Sequence, residues 1–399
     1  MSSSPWTHYL RWMLSTLAVT LAVVGGVNIL IDPLGVVGAP RIDNFNAIKP
    51  YLDHHRDLAR WQAARRACAS VGIFGNSRAE IGFDPENPTF AAHGLTAFNH
   101  AIPGSGAIMA YRQLNWLDRA GCMPKTIILG VDFFDFLGGS KPTPLPTPEI
   151  DPPPRLDGRF LAETVFSITG LKDSLGTIML QRTPHPAILT ERGFNPMDNY
   201  LDEVARSGHY LLFRQRAEEN LRNWTRKAPR LRPEEGGISS DEQEVEAFLT
   251  HATGAGSSVH LVIYPYHAEI RMMLERIGLG ELFSDWKRNL LATTVRAAKG
   301  HATVKLWDFS AITPETLEEI PALGDHKTNL RYYWEAGHFK KALGDLALAQ
   351  MLGDTTGFGV ELNPANIDTW LTEDRTRVKT LLAQPSPLLT EVDDVLRKR

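Results

Sequence analysis

Cysteine is nearly absent from this 399-residue chain, which has only Cys68 and Cys122. Two cysteines exclude a disulfide-rich scaffold and a multi-thiolate zinc cluster. Basic runs are missing as well. The formal net charge is −4 with both signs dispersed, so no nucleic-acid partner is expected. Histidine is present at His54, His55, His100, His267 and His326 among others, but no HxxxH or HExxH pair occurs. A metal site is therefore not expected. No phosphate-binding lysine follows the turn Gly104-Ser105-Gly106, and no cofactor is expected. Beyond Ile31 the apolar runs are about 5 to 10 residues long, too short to cross a bilayer.

What is present is a composition of 43% hydrophobic residues, enough for a full core, and one long apolar run. Trp12 to Ile31 reads WMLSTLAVTLAVVGGVNILI, with Asn28 as its strongly polar member. About 20 helical residues at about 1.5 Å each cross a hydrocarbon layer about 30 Å thick. The expectation is a cytoplasmic tip and single transmembrane anchor over residues 1–35, then a juxtamembrane linker and helix over 36–67. A signal peptide cut near Val24-Gly25-Gly26 is the alternative, disfavoured because the apolar run continues past it. His8 and Arg11 precede the span and Asp32 follows it, which leaves the rest of the chain outside the cytoplasm. Out there a Cys68–Cys122 disulfide is permitted. Each cysteine stands just before an expected strand, so parallel neighbouring strands would bring both to one edge; two buried thiols are the alternative.

From residue 68 to 399 the pattern is α/β. Strands are expected at 70–74, 95–100, 126–133, 258–264 and 303–308, with helical patterns between most of them, as at Ala107–Leu117 and Ala268–Lys299. Short apolar strands alternating with helices predict a three-layer, doubly wound parallel sheet of order 2-1-3-4-5. Residues 138–157 hold seven prolines and read as irregular chain. Behind them Leu161, Val165, Ile168, Leu171, Leu175 and Ile178 repeat at helical spacing, and 214–232 is rich in arginine. The interval 138–250 is expected as an α-rich insertion, either a lid or docking surface or a plain elaboration of the domain.

In open parallel sheets, ligands bind beyond the carboxyl ends of the strands where the order reverses. Ser77 follows the first strand in Gly75-Asn76-Ser77-Arg78, and Pro103-Gly104-Ser105-Gly106 follows the second. Asp132 ends the third, and Glu335-Ala336-Gly337-His338 lies beyond the fifth. All four segments can reach one edge, where a serine hydroxyl, an imidazole base and an orienting carboxylate make a nucleophilic relay. Asp308 and Asp325 are rival carboxylates. Phe133, Phe134 and Phe136 read as packing or as the wall of an acyl pocket.

These segments resemble the SGNH (GDSL) hydrolase superfamily. That family carries Gly-Asp-Ser after its first strand, a glycine after the second, Gly-x-Asn after the third and Asp-x-x-His near the end. The order matches over roughly residues 68–352. Asn76 replaces the family aspartate, Asp132 stands where an asparagine donor is expected, and Glu335 replaces the final aspartate. The stretch GNSRAEIGFDP, with the span and the IDPLG and NAIKP lead-in, is more similar to the membrane-anchored branch. That branch includes proteins that O-acetylate alginate or help D-alanylate teichoic acids.

The resemblance implies a single-pass bacterial inner-membrane protein with its catalytic domain on the periplasmic or extracellular side. It implies Ser77 as nucleophile, His338 as base and Glu335 as orienter, with Gly104, Asn76, Arg78 and Asp132 around the oxyanion and substrate. The implied function is an acyltransferase or acyl esterase on an envelope glycan, acting through an acyl-serine, with a multi-span membrane acyltransferase as partner. A stand-alone esterase or lipase on small or lipid esters is one alternative. A non-catalytic scaffold subunit is the other. Each residue also has a plainer reading: Ser77 as helix cap, His338 as surface residue, Glu335 as dipole partner, Gly104 as turn former and Asp132 as strand terminus.

Overall fold

A computed structural model describes residues 5–147, 151–298 and 303–397. Contacts divide the chain into two compact units, Met1–Arg66 with Pro153–Leu189, and Ala67–Pro152 with Thr190–Arg399. In chain order the principal helices are α1 (Pro5–Ile31), α2 (Ser77–Gly82), α3 (Ala107–Arg119), α4 (Ile168–Leu180), α5 (Tyr200–Thr225) and α6 (Ser240–Gly254). They are followed by α7 (Ala268–Arg276), α8 (Gly280–Ala297), α9 (Lys341–Leu352), α10 (Ile367–Ala383) and α11 (Pro387–Arg397). The strands are β1 (Val71–Phe74), β2 (Ala97–Asn99), β3 (Thr126–Val131), β4 (Ser258–Ile263), β5 (Val304–Asp308), β6 (Tyr333–Glu335), β7 (His338–Phe339) and β8 (Val360–Leu362).

The second unit is built on a six-stranded sheet of order β2-β1-β3-β4-β5-β8. Its first five strands are parallel and follow the expected 2-1-3-4-5 order. β8 adds an antiparallel edge strand, pairing Trp307 with Glu361. Val71, Ile73, Phe74, Ile127, Ile128 and Leu261 are buried in these strands. Strands so uniformly apolar need cover on both faces, which βαβ crossovers supply. α3 packs on α6, α6 on α8 and β4, and α8 on β5. β1 and β3 pair with Val71 opposite Thr126, so the residues just before them are neighbours. Cys68 and Cys122 are accordingly joined as a disulfide with Cα atoms 5.0 Å apart.

Two expected stretches are divided. The interval 138–250 does not form one insertion, since 153–189 groups with the N-terminal residues while the chain from Thr190 stays with the sheet. Residues 148–150 of its proline-rich part lie outside the described residues. The helical pattern expected over 268–299 becomes α7 and α8, separated at Gly278, whose φ of +82° ends α7 in the left-handed region. Lys299 lies outside the described residues.

In the first unit, the two lead-in motifs close the end of α1. Asp32 accepts the backbone N–H groups of Val36 (3.0 Å), Val37 (3.2 Å), Gly38 (2.8 Å) and Ala39 (3.2 Å), which folds IDPLG into a tight anion-centred turn. Asn46 donates to the carbonyls of Leu30 and Ile31, and Lys49 donates to Ile31 at 2.7 Å. Helix C-termini leave carbonyls without intrahelical partners, and NAIKP supplies them. Leu34, Val36, Leu52, Leu58, Ala59 and Phe160 form the apolar cluster beneath.

Candidate active site

Ser77 is the first residue of α2, and hydrogen-bond accounting explains why its N–H is left over. Asn76 caps the helix, its Oδ1 accepting from Arg78 N at 3.0 Å. The Asn76 carbonyl accepts from Ala79 N and Glu80 N, both at 3.1 Å. A short helix has several such N–H groups to satisfy. The Ser77 N–H has no hydrogen-bond partner among the described residues, and neither has the Gly104 N–H. Gly104 sits at φ +71° with open space around the place a Cβ would take. Ser105 closes that turn by donating from N and Oγ to Ile102 O, at 3.2 and 2.8 Å.

The glycines at the ends of β1 and β3 are required for space. The buried Tyr264 passes between them, and a Cβ would lie 2.3 Å from its Oη at Gly75 and 2.2 Å at Gly130. Gly75 also holds φ +144°, a conformation that side chains rarely adopt. Tyr264 Oη in turn accepts the Asn76 N–H at 3.4 Å. Nothing near residue 75 in the sequence signals this tyrosine, because it follows the fourth strand.

His338 and Glu335 face each other across the β6–β7 hairpin. His338 Nε2 lies 2.8 Å from Ser77 Oγ, and His338 Nδ1 is hydrogen-bonded to Glu335 Oε1. Gly337 N donates to Glu335 Oε2 at 2.6 Å. An ionised Glu335 can only accept, so Nδ1 carries the proton and Nε2 is left to accept from the serine hydroxyl. Burial of Glu335, which is 1% exposed, opposes its charge. Attraction and hydrogen bonding from His338, the Arg216 guanidinium and the Gly337 N–H outweigh that cost and hold its carboxyl at about 2.

Arg216 was not foreseen as a site residue, although its arginine-rich neighbourhood was noted. Its Nε lies 3.3 Å from Glu335 Oε1. The helix carrying it, α5, is fastened beside β6 by the buried His209. His209 Nδ1–H donates to Trp334 O at 3.0 Å, and its Nε2 accepts from Leu330 N at 3.3 Å. Burial lowers the His209 pKa, in keeping with a neutral ring. Arg214 and Tyr210 of the same helix bond Glu391 of α11 at 2.7 and 2.6 Å. The part of the interval 138–250 that stays with the sheet thus braces the Glu335 carboxylate.

Asp132 is buried and saturated. It accepts from Tyr266 Oη at 2.7 Å, Asn76 Nδ2 at 3.3 Å and Phe134 N at 3.3 Å, and forms an ion pair with Arg78. Arg78 also lies over the Tyr266 ring, 5.5 Å from its centroid. Asn76 and Arg78 are therefore engaged in holding the serine turn through Asp132. One small cavity is lined by Gly75, Asn76, Ser105, Gly106 and Asp132, which brings together the loops after β1, β2 and β3. Phe133 and Phe136 are buried against Trp286, and Phe134 stacks on Trp224 of α5 at 4.3 Å.

The rival carboxylates are occupied elsewhere. Asp308 is bound to Lys287 at 2.7 Å and Trp370 at 2.9 Å in a buried network that includes Asp374 and Arg271. Asp325 bonds its own loop through Thr328. His100 stacks on Phe74, and His267 caps α7 and bonds Glu318 O at 2.9 Å. Among the described residues no three His, Cys, Asp or Glu side chains are grouped to hold a metal.

Comparison of the chain with protein-family models, curated proteins and solved structures finds no match.

Proposed function

We propose that this chain is a membrane-anchored, extracytoplasmic serine acyltransferase of SGNH type, modifying a hydroxyl of an envelope glycan. The observation that carries the reading is the unbroken hydrogen-bonded line Ser77 Oγ, His338 imidazole, Glu335 carboxylate. His338 Nε2 takes the proton of Ser77 while Oγ attacks the acyl carbonyl. The oxygen that becomes negative meets the unpaired N–H groups of Ser77 and Gly104, each such donor worth about 3 kcal/mol in the barrier. Collapse expels the donor's alcohol or thiol, which takes its proton from His338, and leaves an acyl-Ser77 ester. A glycan hydroxyl, deprotonated by His338, then attacks that ester and restores the serine. Glu335 stays ionised and balances the imidazolium at both stages.

A long apolar N-terminal helix together with a disulfide marks a chain that leaves the cytoplasm, either secreted or held by a single anchor. The anchored form is favoured because the end of α1 is built into the first unit. Asn28 donates to Val165 O at 2.7 Å and accepts from Ser174 Oγ at 2.8 Å, and Lys49 closes the last carbonyls. Cleavage at residues 24–26 would keep Asn28 and Ile31 but leave them on a stub of about one or two turns, too short to hold a helix by itself. A multi-span acyltransferase delivering the acyl group is part of the proposal.

Hydrolysis is the second reading, favoured by the partial exposure of the His338 side chain, 16%. The test supplies an activated acetyl ester to the full chain, with and without oligosaccharide, beside Ser77→Ala and His338→Ala. Acetylated oligosaccharide from the unmodified chain alone supports transfer. Free acetate in both conditions assigns an esterase, and equal turnover by all three proteins would sink the serine mechanism.

A further inference from the structure

We infer that α4 is a second lipid-contacting element, lying along the outer leaflet with its free face among acyl chains. The inference rests on the reading of α1 as an uncleaved anchor. If Trp12–Ile31 fills the hydrocarbon layer, Gly25 and Asn28 lie inside it, the former about 9 Å below Ile31 at about 1.5 Å per residue. The segment leading into α4 packs at that depth. A Cβ on Gly25 would lie 2.6 Å from the Phe166 ring, and Asn28 bonds Val165 O and Ser174 Oγ. The polar side chain within the span thus finds its partners in protein, as a bilayer interior demands.

The faces of α4 follow from its sequence, ITGLKDSLGTIML. Gly170, Ser174 and Thr177 share one face and are buried. The opposite face carries Ile168, Leu175 and Met179, which are 82%, 53% and 80% exposed. Soluble surfaces do not usually gather large apolar side chains this way, and Phe166, Ile178 and Leu180 widen the patch. Lys172 sits among them, with a stem long enough to lie on the apolar surface and lift its ammonium to the headgroups. With 13 residues, α4 is about 20 Å long and too short to cross. A short helix fixed at outer-leaflet depth with an apolar face turned away from the protein lies in the membrane plane. Acyl chains, continuous with those around α1, are the occupant of that face.

The test uses the full chain reconstituted in phosphatidylcholine–phosphatidylglycerol vesicles. Its native cysteines are joined to each other and do not react with bimane. Single bimane labels at Val19→Cys, Ile168→Cys, Met179→Cys and Glu373→Cys are compared in ordinary and brominated lipid. Loss of emission at positions 19, 168 and 179 but not at 373 is the expected result. Loss at 19 alone, with 168 and 179 emitting like 373, overturns the inference and leaves the anchor standing. No loss at 19 overturns the anchor reading and the inference with it.

Discussion

Glu335 shows how one buried charge couples folding to chemistry. Its folded pKa of about 2 lies below its ordinary 4.5, so it adds stability above pH 4.5 that is lost as pH falls toward 2. The gap between those values is worth on the order of 3 kcal/mol. Denaturant titrations from pH 6 to pH 2 should therefore find Glu335→Gln much less acid-sensitive than the unmodified chain. Arg216→Ala should move the acid transition upward, because the carboxylate keeps its hydrogen bond to His338 but loses the attraction of the guanidinium. Glu335→Gln should also slow serine acylation by about 10³–10⁴, since the imidazole loses the partner that fixes its tautomer; stopped-flow release from an activated ester measures this. Gly130→Ala should cost about 3 kcal/mol by forcing Tyr264 aside, which calorimetry reads. Ser77, His338 and Glu335 were legible because each stands in a short local pattern: a strand-end turn, or a carboxylate three residues before a histidine. Arg216, Tyr264 and Tyr266 were not. They enter the site from other elements, and their roles depend on packing that local spacing does not encode.

Among the elements, the five parallel strands were readable because each is a short, almost wholly apolar run bounded by turn residues. β6, β7 and β8 are two or three residues long and leave no periodic trace. The helical spacing of 161–178 was visible, but an apolar stripe does not say what will cover it. Only the contacts assign that segment to the unit that holds α1. Strand adjacency and an exported compartment make the disulfide a possibility in the sequence, with two buried thiols as the alternative, and the structure holds the bond. It closes a separation of 54 residues, for which chain entropy gives about 4 kcal/mol. The paired substitution Cys68→Ala, Cys122→Ala should lower stability by about that amount in chemical denaturation, while rates on an activated ester at 25 °C change little. A large loss of rate in a still-folded variant would contradict the view that this bridge only ties strand entrances together.

At the scale of the whole molecule, the proposed function requires that the N-terminal helix be retained as an anchor. Intact-mass measurement of the protein from membranes should find the N-terminal apolar helix still attached, and alkaline carbonate should fail to extract it. A mature chain beginning near residue 26 would contradict the anchor. The serine is the centre of the account, and a fluorophosphonate probe followed by peptide mass spectrometry tests it most directly. A single adduct on Ser77, absent from Ser77→Ala and strongly reduced in His338→Ala, is the predicted result. No adduct in the folded chain, or one of equal yield in all three proteins, would contradict it.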